Sequence, residues 1–251
     1  MISVTLVGSG NVAHHLAQAL DLAPEVQFDL WVARNPKAVD LKVNTIVSDG
    51  LGDAIKSQIV ILAISDDAIA EFSASMSPSD TLLVHTSGSV NLHDMDKKHS
   101  RGVFYPLQTL SKKRSVDFST IPICIEALER KDLDLLQSLA QSLGCSSKII
   151  SSEQRLALHL AAVFVNNFSN QMYRIAHEIT DSERLDFDLL KPLILETAAK
   201  VQYLSPFQAQ TGPALRKDRK TIKRHLKQLD NENHRLIYEI LTKSIQQTHG
   251  K

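Results

Sequence analysis

Short apolar runs alternate with helical spacing over the first 150 residues, and helical spacing alone fills the rest. Residues 2–7 are apolar apart from Ser3 and Thr5, and a helix follows through Leu16 and Leu20. Residues 28–33, 44–48, 81–85, 103–105, 122–126 and 148–150 also read as strands, and 51–56 and 133–143 as helices, the second closed by Gly144. The run 58–64 holds four β-branched residues, the composition of a parallel strand buried on both faces. This alternation predicts an α/β fold with a doubly wound parallel sheet, whose ligands sit at the carboxyl ends of the strands. From Ser151 onward the chain reads as helices broken near 181–186, 205–212 and 230–231. Two domains are therefore expected, 1–150 and an all-helical 151–251.

The first strand runs straight into Gly8-Ser9-Gly10-Asn11-Val12-Ala13. A glycine turn between a strand and a helix is a dinucleotide-binding fingerprint. The first glycine makes the turn, the second admits a pyrophosphate, and the helix N-terminus receives its charge. Gly8, Ser9, Gly10, Asn11 and Val12 are thus candidate cofactor residues. At the end of the second strand an Asp or Glu would hold the ribose hydroxyl of NAD, but the chain reads Arg34-Asn35 there, a pair suited to a 2′-phosphate, so NADP is preferred. Ile64-Ser65-Asp66 and Thr86-Ser87 end the next two strands and are expected to flank the nicotinamide.

Charge changes the picture only slightly. Net charge is zero, but 13 basic and 17 acidic residues in 1–150 leave 15 and 11 in 151–251, so the parts carry −4 and +4. That suits a small, anionic substrate and is too weak a bias for nucleic acid. Cys124 and Cys145 lack the spacing of a disulfide framework or a metal site. Neither a membrane span nor an export signal is seen, so a cytoplasmic protein without membrane partners is expected.

In the long helix expected over 152–180, a projection at 100° per residue groups Phe164, Phe168, Met172, Ile175 and Ile179 as a core face. His159, Asn166, Asn170, Tyr173 and His177 form the opposite stripe. The stretch 156–165 is otherwise apolar all round, which predicts burial and makes His159 a candidate proton donor with Asn166 orienting it. Thr211-Gly212-Pro213 leads to Arg216, a candidate anion anchor, and to Asp218, a helix cap. Ser87 joins His159, Asn166 and Arg216 as a candidate catalytic residue.

Read together, these motifs resemble the NADP oxidoreductases of the β-hydroxyacid dehydrogenase and pyrroline-5-carboxylate reductase type. The likeness is carried by the glycine turn, residues 62–67, His85-Thr86-Ser87-Gly88, Tyr105-Pro106-Leu107-Gln108-Thr109, His159 with Asn166-Asn167, and Thr211-Gly212-Pro213 with Arg216 and Asp218. It is closer still to a bacterial subfamily of Rossmann-like NADP-binding proteins with a C-terminal domain of unknown function. The resemblance implies a 6-phosphogluconate-dehydrogenase-like arrangement of Rossmann and helical domains, and a homodimer formed through the helical domain. Two departures keep the relatives' substrates from carrying over. The long helix lacks the Lys-x-x-Asn pattern of the hydroxyacid dehydrogenases, and Thr211-Gly212-Pro213 replaces the Ser/Thr-rich loop of the pyrroline-5-carboxylate reductases. The expected activity is NADP-dependent hydride transfer to a carbonyl or imine carbon; the alternative is a non-catalytic NADP(H) sensor that binds a partner.

Overall fold

The computed structural model describes residues 1–50 and 56–250. The short helix expected at 51–56 lies, but for Lys56, outside the described residues. The strands are β1 (Ile2–Val7), β2 (Val26–Val32), β3 (Ile46–Ser48), β4 (Ile59–Leu62), β5 (Leu82–His85), β6 (Ser100–Pro106), β7 (Ile123–Ala127) and β8 (Ser147–Ile149). They form one sheet in the order β3-β2-β1-β4-β5-β6-β7-β8. Strand order reverses beside β1, with β2 on one side and β4 on the other, so the switch point of the sheet lies where the glycine turn leaves β1.

The expected Rossmann-type doubly wound sheet is present, with one amendment. β1 to β6 are mutually parallel, but β7 runs antiparallel to β6, and β8 follows β7. Between β6 and β7 the chain makes a short 3-10 turn (Phe118–Thr120) but no crossover helix, which a parallel return normally needs. The connection therefore leaves and re-enters the sheet at one edge, that of the carboxyl ends of β1 to β6.

The core explains why β4 is apolar throughout. Ile59 and Ile61 point into one cluster with Val4, Leu6 and Phe104, packed beneath α1 (Asn11–Leu22) and α3 (Arg130–Ser142). Val60 and Leu62 point into the other, with Ile69 of α2 (Asp66–Ser75). In α1 the buried residues Ala13, Leu16, Ala17 and Leu20 recur at helical spacing. Each large side chain fully buried in this way contributes about 1.5–3 kcal/mol. Thr5, the polar member of β1, is satisfied by Ser57 Oγ at 2.8 Å, which in turn donates to Asp29 at 2.5 Å.

Two compact units divide the chain, Met1–Asn166 and Asn167–Lys251. Helix α4 (Ser152–Ala162) thus belongs with the sheet, although periodicity changes at Ser151. The reason is its first turn: Glu126 of β7 accepts the Ser152 N–H at 2.9 Å and pairs with buried Arg155, and Ser151 and Gln154 form a capping box.

The second unit contains α5 (Ser169–Ser182), α6 (Lys191–Lys200), α7 (Pro206–Ala209), α8 (Arg219–Gln228) and α9 (Glu232–His249). Asp218 caps α8 as expected, accepting the Thr221 N–H at 3.1 Å. His234 and Glu178, 3.2 Å apart, join α9 to α5, and His225 bonds Tyr238 at 2.9 Å to join α8 to α9.

Two expectations about the long helix are corrected. Residues 163–168 form a π-helical turn, whose i→i+5 bonds accommodate an extra residue, so the stripes drawn at 100° per residue do not continue through it. The burial expected of 156–165 is absent from the single chain: Leu160 is 60% and Val165 77% exposed, Leu156 and Phe164 are exposed too, and Phe168 and Ile179 of the predicted core face share that exposure. An apolar surround predicts that something covers a helix, not that its own chain does.

Candidate active site

Gly8 has φ +126°, and a Cβ there would overlap the Ala63 carbonyl, so the turn after β1 requires glycine. The Gly8 N–H donates to Val32 O at 2.8 Å, and the buried Trp31 indole donates to Gly8 O at 2.7 Å, fastening the turn to β2. Beyond it, Gly10 is the N-cap of α1, open space surrounds the position of its missing Cβ, and the first helical turn carries no acidic residue. An uncapped helix N-terminus behind a turn of two glycines and a serine fits a dinucleotide pyrophosphate. Ser9 and Asn11 are exposed there, and Val12 packs against the core.

One contributor escaped the sequence reading. Lys112 N–H donates to Asn11 Oδ1 at 3.4 Å, His15 Nε2 lies 3.0 Å from Ser111 O, and Ser111 bridges to Arg114. These bonds tie the turn carrying Lys112, Lys113 and Arg114 to the start of α1. The pKa of His14 is lowered, chiefly by burial and then by the charges of His15 and Lys112. The basic triplet is visible in the sequence, but its place is not, because it depends on the antiparallel return of β7.

Arg34 and Asn35 are exposed just past β2, ahead of the short turn Pro36–Ala38. The acidic residue within β2, Asp29, is engaged with Ser57. Ile64 and Ser65 lead into α2, of which Ser65 is the N-cap and Asp66 the first residue. Asp66 accepts a 2.5 Å bond from Ser89, while Ser87 Oγ accepts the N–H groups of Ser89 and Val90, both at 3.1 Å. Thr86 is buried, its hydroxyl 3.4 Å from Leu62 O. The loop after β5 is thereby tied to the loop after β4.

His85, wholly buried, accepts the Ser87 N–H at Nδ1 over 3.1 Å, which leaves its proton on Nε2. Burial, reinforced by the Arg155 charge, lowers its pKa to about 3. The unfolded chain, with an ordinary histidine near 6.5, binds the extra proton first as pH falls. The His85 contribution is therefore present above about pH 6.5 and is lost toward pH 3, at up to about 1.4 kcal/mol per pH unit. Chemical denaturation between pH 7 and 4 is expected to show a shallower loss of stability in His85→Asn than in the native protein; equal slopes would refute this.

Tyr105 of β6 and His159 of α4 complete the cluster. Tyr105 Oη lies 3.1 Å from His159 Nδ1, with the rings edge to face. Both rings rest on Gly88: a Cβ there would stand 2.5 Å from His159 Nδ1 and 3.0 Å from Tyr105 Cζ. The Tyr105 pKa is raised, chiefly by burial, so its hydroxyl is neutral and available as a proton donor. A phenol hydrogen-bonded to an imidazole is a proton relay, able to protonate an oxygen or nitrogen and refill from its partner.

His159 and Ser87 are thus brought to one edge, the His159 ring bonds Tyr105, and Asn166 lies in the π-helical turn. Arg216 stands in the second unit, exposed on the Gly212–Lys217 turn, where its N–H donates to Gly212 O. Tyr105 and Gly88 were missed as site residues, although their motifs were noticed. Among the described residues, no cluster of His, Cys, Asp or Glu could hold a metal, both cysteines are free and buried, and no helix is long and apolar enough to cross a membrane.

Comparison with known proteins bears on this geometry. The crystal structure of a "putative NADP oxidoreductase" from Bacteroides fragilis is 36% identical, covers 100% of this chain and 98% of its own, and superposes with a TM-score of 0.88. The chain belongs to this family of Rossmann-type NADP oxidoreductases. Within the family it carries the segment described as "Domain of unknown function (DUF2520)", over residues 121–245. An imine reductase variant from Myxococcus stipitatus in complex with NAD+ shares the fold (15% identity, 98% and 93% coverage, TM-score 0.65). So does a pyrroline-5-carboxylate reductase from Coxiella burnetii (14%, 98% and 96%, TM-score 0.56). No curated protein sequence matches this chain significantly.

Proposed function

We propose that the protein is an NADP-dependent reductase of a small substrate containing a C=N or C=O bond, with Tyr105 and His159 as the proton source. The observation that carries this reading is the half-buried Tyr105–His159 pair at the carboxyl edge of a sheet whose first turn is cut for a dinucleotide. Bound NADPH supplies the hydride. The glycine turn and the start of α1 would hold its phosphates, Arg34 and Asn35 would receive the 2′-phosphate, and Thr86 and Ser87 would line the nicotinamide side. The Tyr105–His159 pair would donate the proton to the substrate nitrogen or oxygen. The names of the imine and pyrroline-5-carboxylate reductases favour C=N among the substrates.

The test is a panel of small cyclic imines and keto acids, followed by loss of NADPH absorbance and compared with His159→Gln. Turnover on any of them that His159→Gln leaves unchanged would defeat the assignment. Cofactor choice has its own readout. Arg34→Asp removes a charge-assisted contact worth about 1.5–3 kcal/mol and is expected to weaken NADPH about tenfold or more while sparing NADH; equal weakening of both would refute the role of Arg34.

A homodimer in the cytoplasm completes the proposal. Among the described residues, Ala214 is the only buried hydrophobic of the second unit, while Leu189, Leu193, Leu195, Tyr203, Leu236 and Ile240 are exposed. A helical unit without a core of its own needs a second surface, and an identical copy supplies one. Light scattering is expected to give the mass of two chains; a monomer that melts cooperatively would contradict it.

A further inference from the structure

His159 is one of three residues by which α4 grips the loop after β5. Ser152, Arg155 and His159 recur at i, i+3 and i+7, hence on one helical face. Opposite them, Leu92, Val90 and Gly88 are met in reverse order. Ser152 Oγ accepts the Leu92 N–H at 3.1 Å, Arg155 Nη2 donates to Val90 O at 2.5 Å, and the His159 ring lies on Gly88. Arg155 is the central rung. It is 1% exposed, donates also to Ser152 Oγ at 3.1 Å, and pairs through Nη1 with Glu126 of β7. One rigid guanidinium thus spans a strand, a loop and its own helix, and a planar fork does this where a lysine ammonium does not.

We propose that Arg155 is a positioning residue of the reaction: by fixing the register of α4 on residues 88–92, it holds the His159 ring within reach of Tyr105. This rests on the reading of Tyr105 and His159 as the proton source, but its test does not require a substrate. The His159 ring resonance is assigned by its loss in His159→Gln, and its displacement by Tyr105→Phe measures the pairing. In the native background Tyr105→Phe is expected to shift the resonance; if it does not, the pair itself fails, and this proposal falls with it. In an Arg155→Lys background the shift is expected to be lost while the cooperative thermal melt persists. A folded Arg155→Lys protein in which Tyr105→Phe shifts His159 as far as in the native background would overturn the proposal and leave the pair standing. Should Arg155→Lys not fold, Ser152→Ala decides, because it removes the hydroxyl that Leu92, Glu126 and Arg155 share: a diminished shift supports the role, and an undiminished one overturns it.

Discussion

His159→Gln is expected to lower hydride transfer by about 10²–10⁴-fold, the usual worth of a placed proton donor, and to leave NADPH binding near its native strength. The separation follows from position. His159 lies on α4, bonded to Tyr105 across 3.1 Å, whereas the phosphates are assigned to the turn after β1 and the start of α1. Tyr105→Phe removes the other half of the same relay and should fall in the same range. Because the two act as a unit, the double variant should be little worse than the poorer single one. Single-turnover oxidation of NADPH measures the chemical step, and nicotinamide fluorescence measures binding. Two independent, multiplying losses would mean that the residues serve different steps.

Gly88→Ala should come close to the same result without touching either titrating group. The added methyl would stand 2.5 Å from His159 Nδ1, 2.7 Å from Cγ and 3.0 Å from Tyr105 Cζ, so both rings must move. A displacement of about 1 Å can cost a reaction about 10²-fold, and that is the loss expected in kcat. Gly88 itself has no positive φ, so the substitution brings crowding without backbone strain. A variant with native kcat would show that the site tolerates displaced rings, and would count against proton transfer by this pair.

Local features of the fold were readable from the chain, and long-range ones were not. The span of β1, the start of α1 and the two-faced burial of β4 follow from neighbouring residues, and each was anticipated. The reversal at β7 depends on how residues 107–122 return to the sheet, a matter of pairing that periodicity does not encode. Tyr105 meets His159 across 54 positions for the same reason, so the Tyr105-Pro106-Leu107 motif does not by itself reveal the partner of His159. Arg155 was hidden in another way: a charged residue early in a helix reads as solvent-facing, and only Glu126 from a distant strand reveals why it is buried. The π-helical turn defeated the projection, since six residues that look like a continuation of the α-helix do not advance at its 100° per residue.

The measurement that bears most directly on the account is a fluorescence titration of the purified protein with NADPH, run beside NADH. Saturable binding at one site per chain, tighter for NADPH, is the predicted result. Failure of both nucleotides to bind would contradict the account at its root, leaving the Gly8–Gly10 turn as architecture and the Tyr105–His159 pair without a hydride to follow.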